Sequence, residues 1–176
     1  MAQEEVERLI KTVQRMLEFN RPSSNQNFST DVHAVIEDVL ALTNQRIQRA
    51  NVRVRKSFAS NMPSLKANKD QLKQVILNLV INAIEAMPSG GELNIATQIG
   101  EKGQWAYIAV RDQGIGLTPQ VREHIFEPFY TTKSQGTGVG LSISYGLIEQ
   151  HGGDILVEST RGVGSCFTIK LPVRPT

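Results

Sequence analysis

The sequence predicts an α+β fold, a two-layer α/β sandwich with a mixed sheet and helices on one face. Long stretches with apolar residues at intervals of three and four predict helices, and shorter alternating stretches predict strands. The helices are interspersed with pairs of strands that short turns connect. Helices and antiparallel strand pairs mixed in one chain are typical of a sheet that helices cover on one side.

The first predicted element is a helix over residues 4–19, where apolar residues recur at helical spacing. The stretch NRPSSNQ ends it and is typical of a linker. We therefore divide the chain into residues 1–27, a helix with its linker, and residues 28–176, the main domain. The first helix either pairs with a copy of itself or covers the domain, and the pattern favours neither.

The main domain begins with a helix from Val32 to Ile47, for which Ser29 or Thr30 is the expected N-cap. NVRVRKSF alternates and predicts a strand. A long helix follows in NKDQLKQVILNLVINAIEAM and ends at the breaker PSGG. Its apolar face comprises Leu72, Val75, Ile76, Leu79, Val80 and Ile84.

Two alternating stretches, ELNIATQI and WAYIAVRD, predict a hairpin across the turn GEKGQ. The last quarter of the chain predicts a helix over residues 141–151, closed by Gly152. Two more strands follow, DILVEST and SCFTIKLP, with RGVG as the turn between them.

Composition excludes several classes of function. The chain has 176 residues, and its 19 Lys and Arg nearly balance its 17 Asp and Glu, so no nucleic-acid partner is expected from bulk charge. The single cysteine, Cys166, excludes an internal disulfide, predicts a buried side chain and fits a reducing, cytoplasmic location. No apolar run approaches the roughly 18 residues that span a bilayer, and no signal peptide opens the chain. A membrane-bound parent protein stays open.

Common catalytic motifs are absent from the sequence. GxxxxGK[ST] does not occur, and GTGVGL is not the GxGxxG that follows a first Rossmann strand. HExxH, CxxC and GxSxG are also absent, and His33, His124 and His151 are scattered, as surface or capping histidines are.

Three weaker signals remain. Asn78 and Asn82 lie four apart on one face of the long helix, and an amide oxygen among aliphatic side chains suits Mg²⁺. Asp112 follows a strand and precedes two glycines, an arrangement that suits the amino group of a base such as adenine. Taken alone, the asparagine pair could be two amides that hydrogen-bond to nearby loops. The stretch at Asp112, taken alone, could be a hairpin turn.

The third signal is GTGVGL at the start of the last helix. Backbone N–H groups and the positive end of the helix dipole form a phosphate site there, and Lys133 just before it adds a mobile cation. A metal ligand, a base reader and a phosphate site in one chain together indicate a nucleotide site.

Four stretches, NLVINAIEAM, DQGIGL, FEPFYTTK and GTGVGLSISYGLIEQHGG, resemble the N, G1, F and G2 boxes of the catalytic ATP-binding domain of bacterial sensor histidine kinases. The resemblance covers residues 28–172 and is closest to the nitrogen-regulation branch. It implies the GHKL type of sandwich, with a lid over residues 118–136 and residues 4–19 as the second helix of the dimerisation hairpin.

The resemblance also implies roles for individual residues. Asn82 would hold Mg²⁺ with Asn78 beside it, Asp112 would bind adenine, and Lys133 would contact phosphate. Glu85 receives no role, since its position varies in the family. The remaining expected ATP contacts are Gly114 and Gly116 at the base, Phe126 and Phe129 anchoring the lid, and Gly136, Thr137, Gly138, Val139, Gly140 and Leu141 at the triphosphate.

One departure from the family is the absence of its phosphoacceptor box. His33 lacks the acidic, basic and proline neighbours of an acceptor, so we expect the chain to begin after the acceptor helix and not to phosphorylate itself. The implied activity is transfer from ATP to a histidine on the dimerisation helix of a homodimeric two-component kinase, and then to a response regulator. The alternatives are a nucleotide-responsive interaction module without catalysis and a conformational ATPase.

Overall fold

The computed structural model describes residues 29–100, 102–133 and 136–173. These residues form a five-stranded sheet with helices packed on it. The helix predicted for residues 4–19 and its linker lie outside the described residues, and so does the division of the chain at residue 27.

The helices are α1 (Val32–Arg49), α2 (Lys69–Glu85), α3 (Pro119–His124) and α4 (Gly140–Gln150). The strands are β1 (Val52–Ser57), β2 (Gly91–Ile99), β3 (Trp105–Asp112), β4 (Asp154–Thr160) and β5 (Gly164–Pro172). Each element predicted for the main domain is present. The six residues of α3 were not predicted, since so short a helix shows no clear periodicity.

The strands lie in the order β1-β2-β3-β5-β4. β1 runs parallel to β2, with Val54 opposite Leu93, and the other neighbouring pairs are antiparallel. The predicted hairpin of β2 and β3 is confirmed, with Ile95 opposite Val110. The sheet is therefore mixed, and the prediction of an α+β sandwich is confirmed.

Helix α2 occupies the middle of the helical layer, between α1 and α4. Its six predicted apolar positions are each no more than 7% exposed. The side chain of Asn68 caps the helix by accepting hydrogen bonds from two backbone N–H groups of the first turn. Full burial of one aliphatic side chain contributes about 1.5–3 kcal/mol, so this face fixes α2 firmly on the sheet.

Strand β3 turns alternate residues toward the helices. Ala106, Ile108 and Val110 are buried, while the residues between them are partly exposed. Asp112 continues the same inward row at the last position of the strand and is only 5% exposed. The period of two therefore places a carboxylate where the apolar core would otherwise continue.

The prediction of Ser29 or Thr30 as the N-cap of α1 is wrong. The cap is Asp31, whose carboxylate accepts hydrogen bonds from two backbone N–H groups of the first turn. Thr30 instead pairs with Leu65, since each backbone N–H donates to the carbonyl of the other residue at 2.8 and 2.9 Å. This long-range pairing holds Thr30 one residue before the helix.

Other predictions about single residues are confirmed. Cys166 is buried, at 5% exposed. His151 has a capping role, because it is the C-cap residue of α4, and its Nε2 atom also accepts the backbone N–H of Asn68 at 3.0 Å. Within the ranges described above, no helix is long and apolar enough to cross a membrane, and no three His, Cys, Asp or Glu side chains are grouped as a metal site would require.

Candidate functional site

The four sequence boxes meet around the C-terminal half of α2. The Lys133 ammonium donates to Oδ1 of Asn82 at 3.1 Å. The Asn78 side-chain amide donates to the Ser144 hydroxyl of α4 at 3.0 Å. The loop after β3 joins them, since the backbone N–H of Ile115 donates to the carbonyl of Ala86 at 3.0 Å. Segments that are far apart in sequence thus form one site.

Asp112 forms the deepest charged part of this site. Its Oδ1 atom accepts the backbone N–H of Gly114 at 2.8 Å and that of Ser165 at 3.3 Å. Burial raises the pKa of the Asp112 carboxyl, although these two hydrogen bonds act in the opposite direction. Because both bonds end on Oδ1, Oδ2 is the oxygen through which this carboxylate could accept a hydrogen bond from a ligand.

The two glycines after Asp112 allow the loop to pack closely on its neighbours. A Cβ atom on Gly114 would lie 2.3 Å from the carbonyl oxygen of Ala86, at the end of α2. One on Gly116 would lie 2.1 Å from the carbonyl oxygen of Thr160, and the φ of Gly116 is +63°. In this structure the room that the glycines provide is therefore taken by backbone of the same chain.

Asn78 is held by a network of side-chain and backbone bonds. Its Nδ2 atom donates to Ser144, and the Ser144 hydroxyl donates to the carbonyl of Gly140 at 2.9 Å. The side chain is half-buried. Since an amide has no basic atom near neutral pH, Asn78 can orient a group by hydrogen bonding and cannot remove a proton from water.

Asn82 lies one turn further along α2 and faces the ammonium group of Lys133. Besides donating to its Oδ1, the Lys133 ammonium forms an ion pair with the Glu85 carboxylate. An amide oxygen that already accepts from a cation, with a carboxylate one turn away, has the chemistry that Mg²⁺ prefers. Mg²⁺ is usually held by one or two protein oxygens together with substrate phosphates, so these residues fit that ion.

The lid, residues 118–136, is described except at positions 134 and 135. Phe126 is half-buried against the core, and its ring lies 4.9 Å from that of Tyr145 in α4. The Phe129 side chain is 64% exposed, and its φ of 67° is unusual for a non-glycine residue. Of the two predicted lid anchors, Phe126 packs into the domain in this structure and Phe129 does not.

The glycine loop packs on the lid and leads into α4. A Cβ atom on Gly138, whose φ is +68°, would lie 2.4 Å from the carbonyl carbon of Phe129. Val139 is the N-cap residue of α4 and is buried, and no side chain of the described residues caps the helix. The backbone N–H groups of the first turn are therefore available to an anion. Gly136 and Thr137 precede this turn, Gly140 and Leu141 begin it, and all four are half-buried.

Comparison with known proteins identifies the family. Residues 67–175 match the family described as histidine kinase-, DNA gyrase B- and HSP90-like ATPases. The chain belongs to this ATPase family. ATP is accordingly the nucleotide of this domain, and the expected GHKL type of fold is confirmed.

Curated relatives of this ATPase domain are histidine kinases. It is 38% identical to the signal transduction histidine-protein kinase AtoS of Escherichia coli (strain K12), over 97% of this chain and 28% of AtoS. It is 36% identical to sporulation kinase E of Bacillus subtilis (strain 168), over 97% of this chain and 23% of that protein. The chain thus spans about a quarter of the length of these relatives.

Solved structures show the same fold. The nucleotide-free catalytic domain of histidine kinase ThkA superposes on the ATPase domain with a TM-score of 0.76 at 30% identity, over 84% of this chain and 98% of that one. ThkA in complex with the response regulator protein TrrA has a TM-score of 0.80 at 29% identity, over 98% of this chain and 49% of that one. These histidine kinase structures therefore share the fold described above.

Three residues of the candidate site were not assigned a role from the sequence. Ser144 and Ser165 bond Asn78 and Asp112, yet no spacing rule links serines to partners 66 and 53 positions away. Glu85 is different, since its place three residues after Asn82 on one helix face was visible in the sequence. What the sequence did not show was that Lys133 reaches back to it.

Proposed function

We propose that this chain binds ATP with Mg²⁺ and positions the γ-phosphoryl group for transfer to a histidine of a two-component sensor kinase. Membership of the ATPase family and the similarity to histidine kinases support this function. The observation that carries it is Asn78, an amide bonded into α4, at a place where the family resemblance implies that related ATPases have a glutamate base. Without that base, transfer to a nucleophile that brings its own base is favoured over hydrolysis.

Adenine binding is assigned to Asp112. The backbone N–H groups of Gly114 and Ser165 hold Oδ1, which leaves Oδ2 to accept the exocyclic amino group of the base. Desolvation makes such a hydrogen bond stronger inside the domain than in water. Gly114 and Gly116 would serve the base indirectly, because their lack of side chains lets the loop after Asp112 pack against Ala86 and Thr160.

The phosphates would lie between α2 and the first turn of α4. Asn82 Oδ1 would hold Mg²⁺, which supplies charge neutralisation for the phosphates. The backbone N–H groups at the start of α4 would bind phosphate oxygens, and Lys133 would contribute a mobile positive charge. Phosphoryl transfer depends mostly on such positioning and charge stabilisation.

The lid and the flanking segments complete the proposal. Phe126 would anchor the lid through its contact with the core, and Phe129 would pack only once nucleotide is bound. Residues 1–27 would be the second helix of a dimerisation hairpin with its linker, and residues 28–176 the catalytic domain. The acceptor would be a histidine helix of the homodimeric parent kinase. A response regulator would receive the phosphoryl group next, as the pairing of ThkA with TrrA suggests.

The test is to mix the purified chain with a fragment that carries the acceptor helix and with γ-labelled ATP. Acid-labile phosphohistidine on the fragment is the expected product, and the fragment with its histidine changed to alanine is the matched control. ATP binding without transfer would instead support an interaction module that responds to nucleotide. Rapid phosphate release without the fragment would support a conformational ATPase.

A further inference from the structure

A contact between the lid and α2 joins two residues of the proposed ATP site, Lys133 and Asn82, to Glu85, which has no role in the proposed function. The Lys133 ammonium bonds Oδ1 of Asn82 and forms an ion pair with Glu85. We propose that Glu85 is a positioning residue that holds Lys133 on Asn82 in the nucleotide-free site, so that the lysine and the cation of an incoming nucleotide compete for one amide oxygen. We call this three-residue contact the latch. It rests on the proposed function, because the competing cation is that of ATP.

The latch joins distant parts of the chain. Lys133 and Glu85 are 48 positions apart, so the ion pair closes the lid onto α2. Asn82 and Glu85 lie on adjacent turns of one helix face, where a single ammonium group reaches both. The helix itself is fixed by its buried face.

The backbone around Lys133 is also fixed. Its N–H donates to the Thr131 hydroxyl at 3.1 Å, and its carbonyl accepts the N–H of Gly136 at 3.1 Å. A Cβ atom on Gly136 would lie 2.4 Å from Thr131 Oγ1, so glycine leaves room there for the Thr131 side chain. These contacts hold the backbone of Lys133, whose side chain reaches Asn82 and Glu85 on α2.

Competition follows from the size and charge of the two cations. Mg²⁺ binds its oxygen ligands at about 2.0–2.1 Å, so on Oδ1 of Asn82 it would lie close to an ammonium group that is 3.1 Å from the same oxygen, and the two positive charges would repel each other. A lysine on a long flexible stem can move from Glu85 to a phosphate, which carries more negative charge. The Glu85 charge thus holds Lys133 on Asn82 until nucleotide arrives. It opposes ATP binding, because Lys133 must leave Glu85 before it can contact a phosphate.

The expected effect of removing the Glu85 charge on ATP affinity is small but measurable. The side chains of Lys133 and Glu85 are 45% and 44% exposed, so solvent screens their attraction. Exposed pairs of this kind change an equilibrium by about 1.4- to 5-fold. We expect Glu85→Gln to tighten ATP binding about two- to fivefold, measured by calorimetry with and without Mg²⁺.

The chain offers a matched control pair. Lys56 on β1 and Glu37 on α1 form an ion pair at 2.6 Å with 45% and 51% exposure, and neither residue belongs to the candidate site. Glu37→Gln removes a comparable charge and should leave the ATP affinity unchanged. Weaker or unchanged ATP binding by Glu85→Gln, in a chain that binds ATP, would overturn the latch.

A second variant, Lys133→Met, distinguishes the latch from simple electrostatic repulsion between Glu85 and the phosphates of ATP. In a Lys133→Met chain no ammonium is left to hold, so Glu85→Gln should no longer tighten binding. Equal tightening in both backgrounds would assign the effect to repulsion and overturn the proposal.

A measurement without nucleotide distinguishes failure of the latch from failure of the proposed function. The rate at which an acylating reagent modifies Lys133, followed by mass spectrometry, should rise in Glu85→Gln and stay constant in Glu37→Gln. Lys56 should show the reverse pattern. If the wild-type chain binds no ATP, the proposed function fails and these rates still decide the latch, since an unchanged rate at Lys133 excludes it.

Discussion

A Cβ atom on Gly140 would lie 2.7 Å from Oδ1 of Asn78. The first residue of α4 and the middle of α2 therefore touch without room for a side chain. Ser144 closes the contact by accepting from the Asn78 amide and donating to the Gly140 carbonyl. The start of the helix that would bind phosphate is thus held directly on the helix that carries both asparagines.

Gly140→Ala should disturb this contact. The added methyl group displaces the Asn78 side chain, and overpacking of this kind costs about 1–3 kcal/mol. The better helix propensity of alanine offsets at most about 1 kcal/mol. We expect a lower free energy of unfolding in urea and weaker ATP binding. Gly100→Ala is the control, since its Cβ would be 3.3 Å from the edge of the Tyr107 ring, away from the site. An unchanged ATP affinity would show that the Asn78 contact is not needed.

Asp112→Asn should weaken ATP binding and spare the fold. The asparagine oxygen can still accept from Gly114 and Ser165, but its NH₂ group replaces the acceptor Oδ2. Loss of one buried hydrogen-bond partner costs about 1–3 kcal/mol, which calorimetry with ATP would detect. Asp70→Asn, an exposed carboxylate in the first turn of α2, is the matched control. Equal ATP affinity of Asp112→Asn and wild type would remove Asp112 from base binding.

The raised pKa of Asp112 gives a defined pH dependence. In the fold this pKa lies above its ordinary value of 3.8, so the native state binds the proton more tightly than the unfolded chain. Asp112 therefore contributes a loss of stability that develops as the pH rises from about 3.8 through the folded pKa. Asp112→Asn lacks this loss. Its free energy of unfolding relative to wild type should be greater at pH 7 than at pH 4, and no difference between the two pH values would contradict the assignment.

The two lid phenylalanines should differ in their effect on stability. Phe126 packs on the core and Tyr145, and Phe129 is 64% exposed. We expect Phe126→Ala to lower the free energy of unfolding by about 1–3 kcal/mol, below the 3–5 typical of a fully buried ring. Phe129→Ala should change it by less than about 0.5 kcal/mol. Thermal unfolding of both nucleotide-free variants tests this, and equal losses would mean that the lid packs differently in solution.

Asn82→Ala should separate metal binding from base binding. Its side chain would hold Mg²⁺ and does not reach Asp112, so ADP affinity without Mg²⁺ should change less than about threefold, within the range of an exposed contact. Phosphoryl transfer to an acceptor fragment at a saturating Mg²⁺ concentration should be nearly abolished. Equal losses of ADP affinity and of transfer would make the metal assignment wrong.

The sequence predicted every element of the main domain that has a strong local pattern. The apolar face of α2 and the alternation in β2 and β3 depend on neighbours within one or two turns, so their period is visible in the chain itself. Helix α3 and the cap of α1 were missed for opposite reasons. α3 is too short to show a period, and Thr30 is drawn from the cap position by its pairing with Leu65.

In the candidate site, too, local patterns were predictable from the sequence and tertiary contacts were not. The sequence alone determined the fold class, the family resemblance and the identity of Asn78, Asn82 and Asp112 as candidates, because motif spacing and strand alternation are local properties. Only the tertiary structure decided that Ser165 bonds Asp112 and that Lys133 lies on Asn82 and Glu85. Those contacts join residues about 50 positions apart, and they exist only because the sheet and α2 pack their distant segments together.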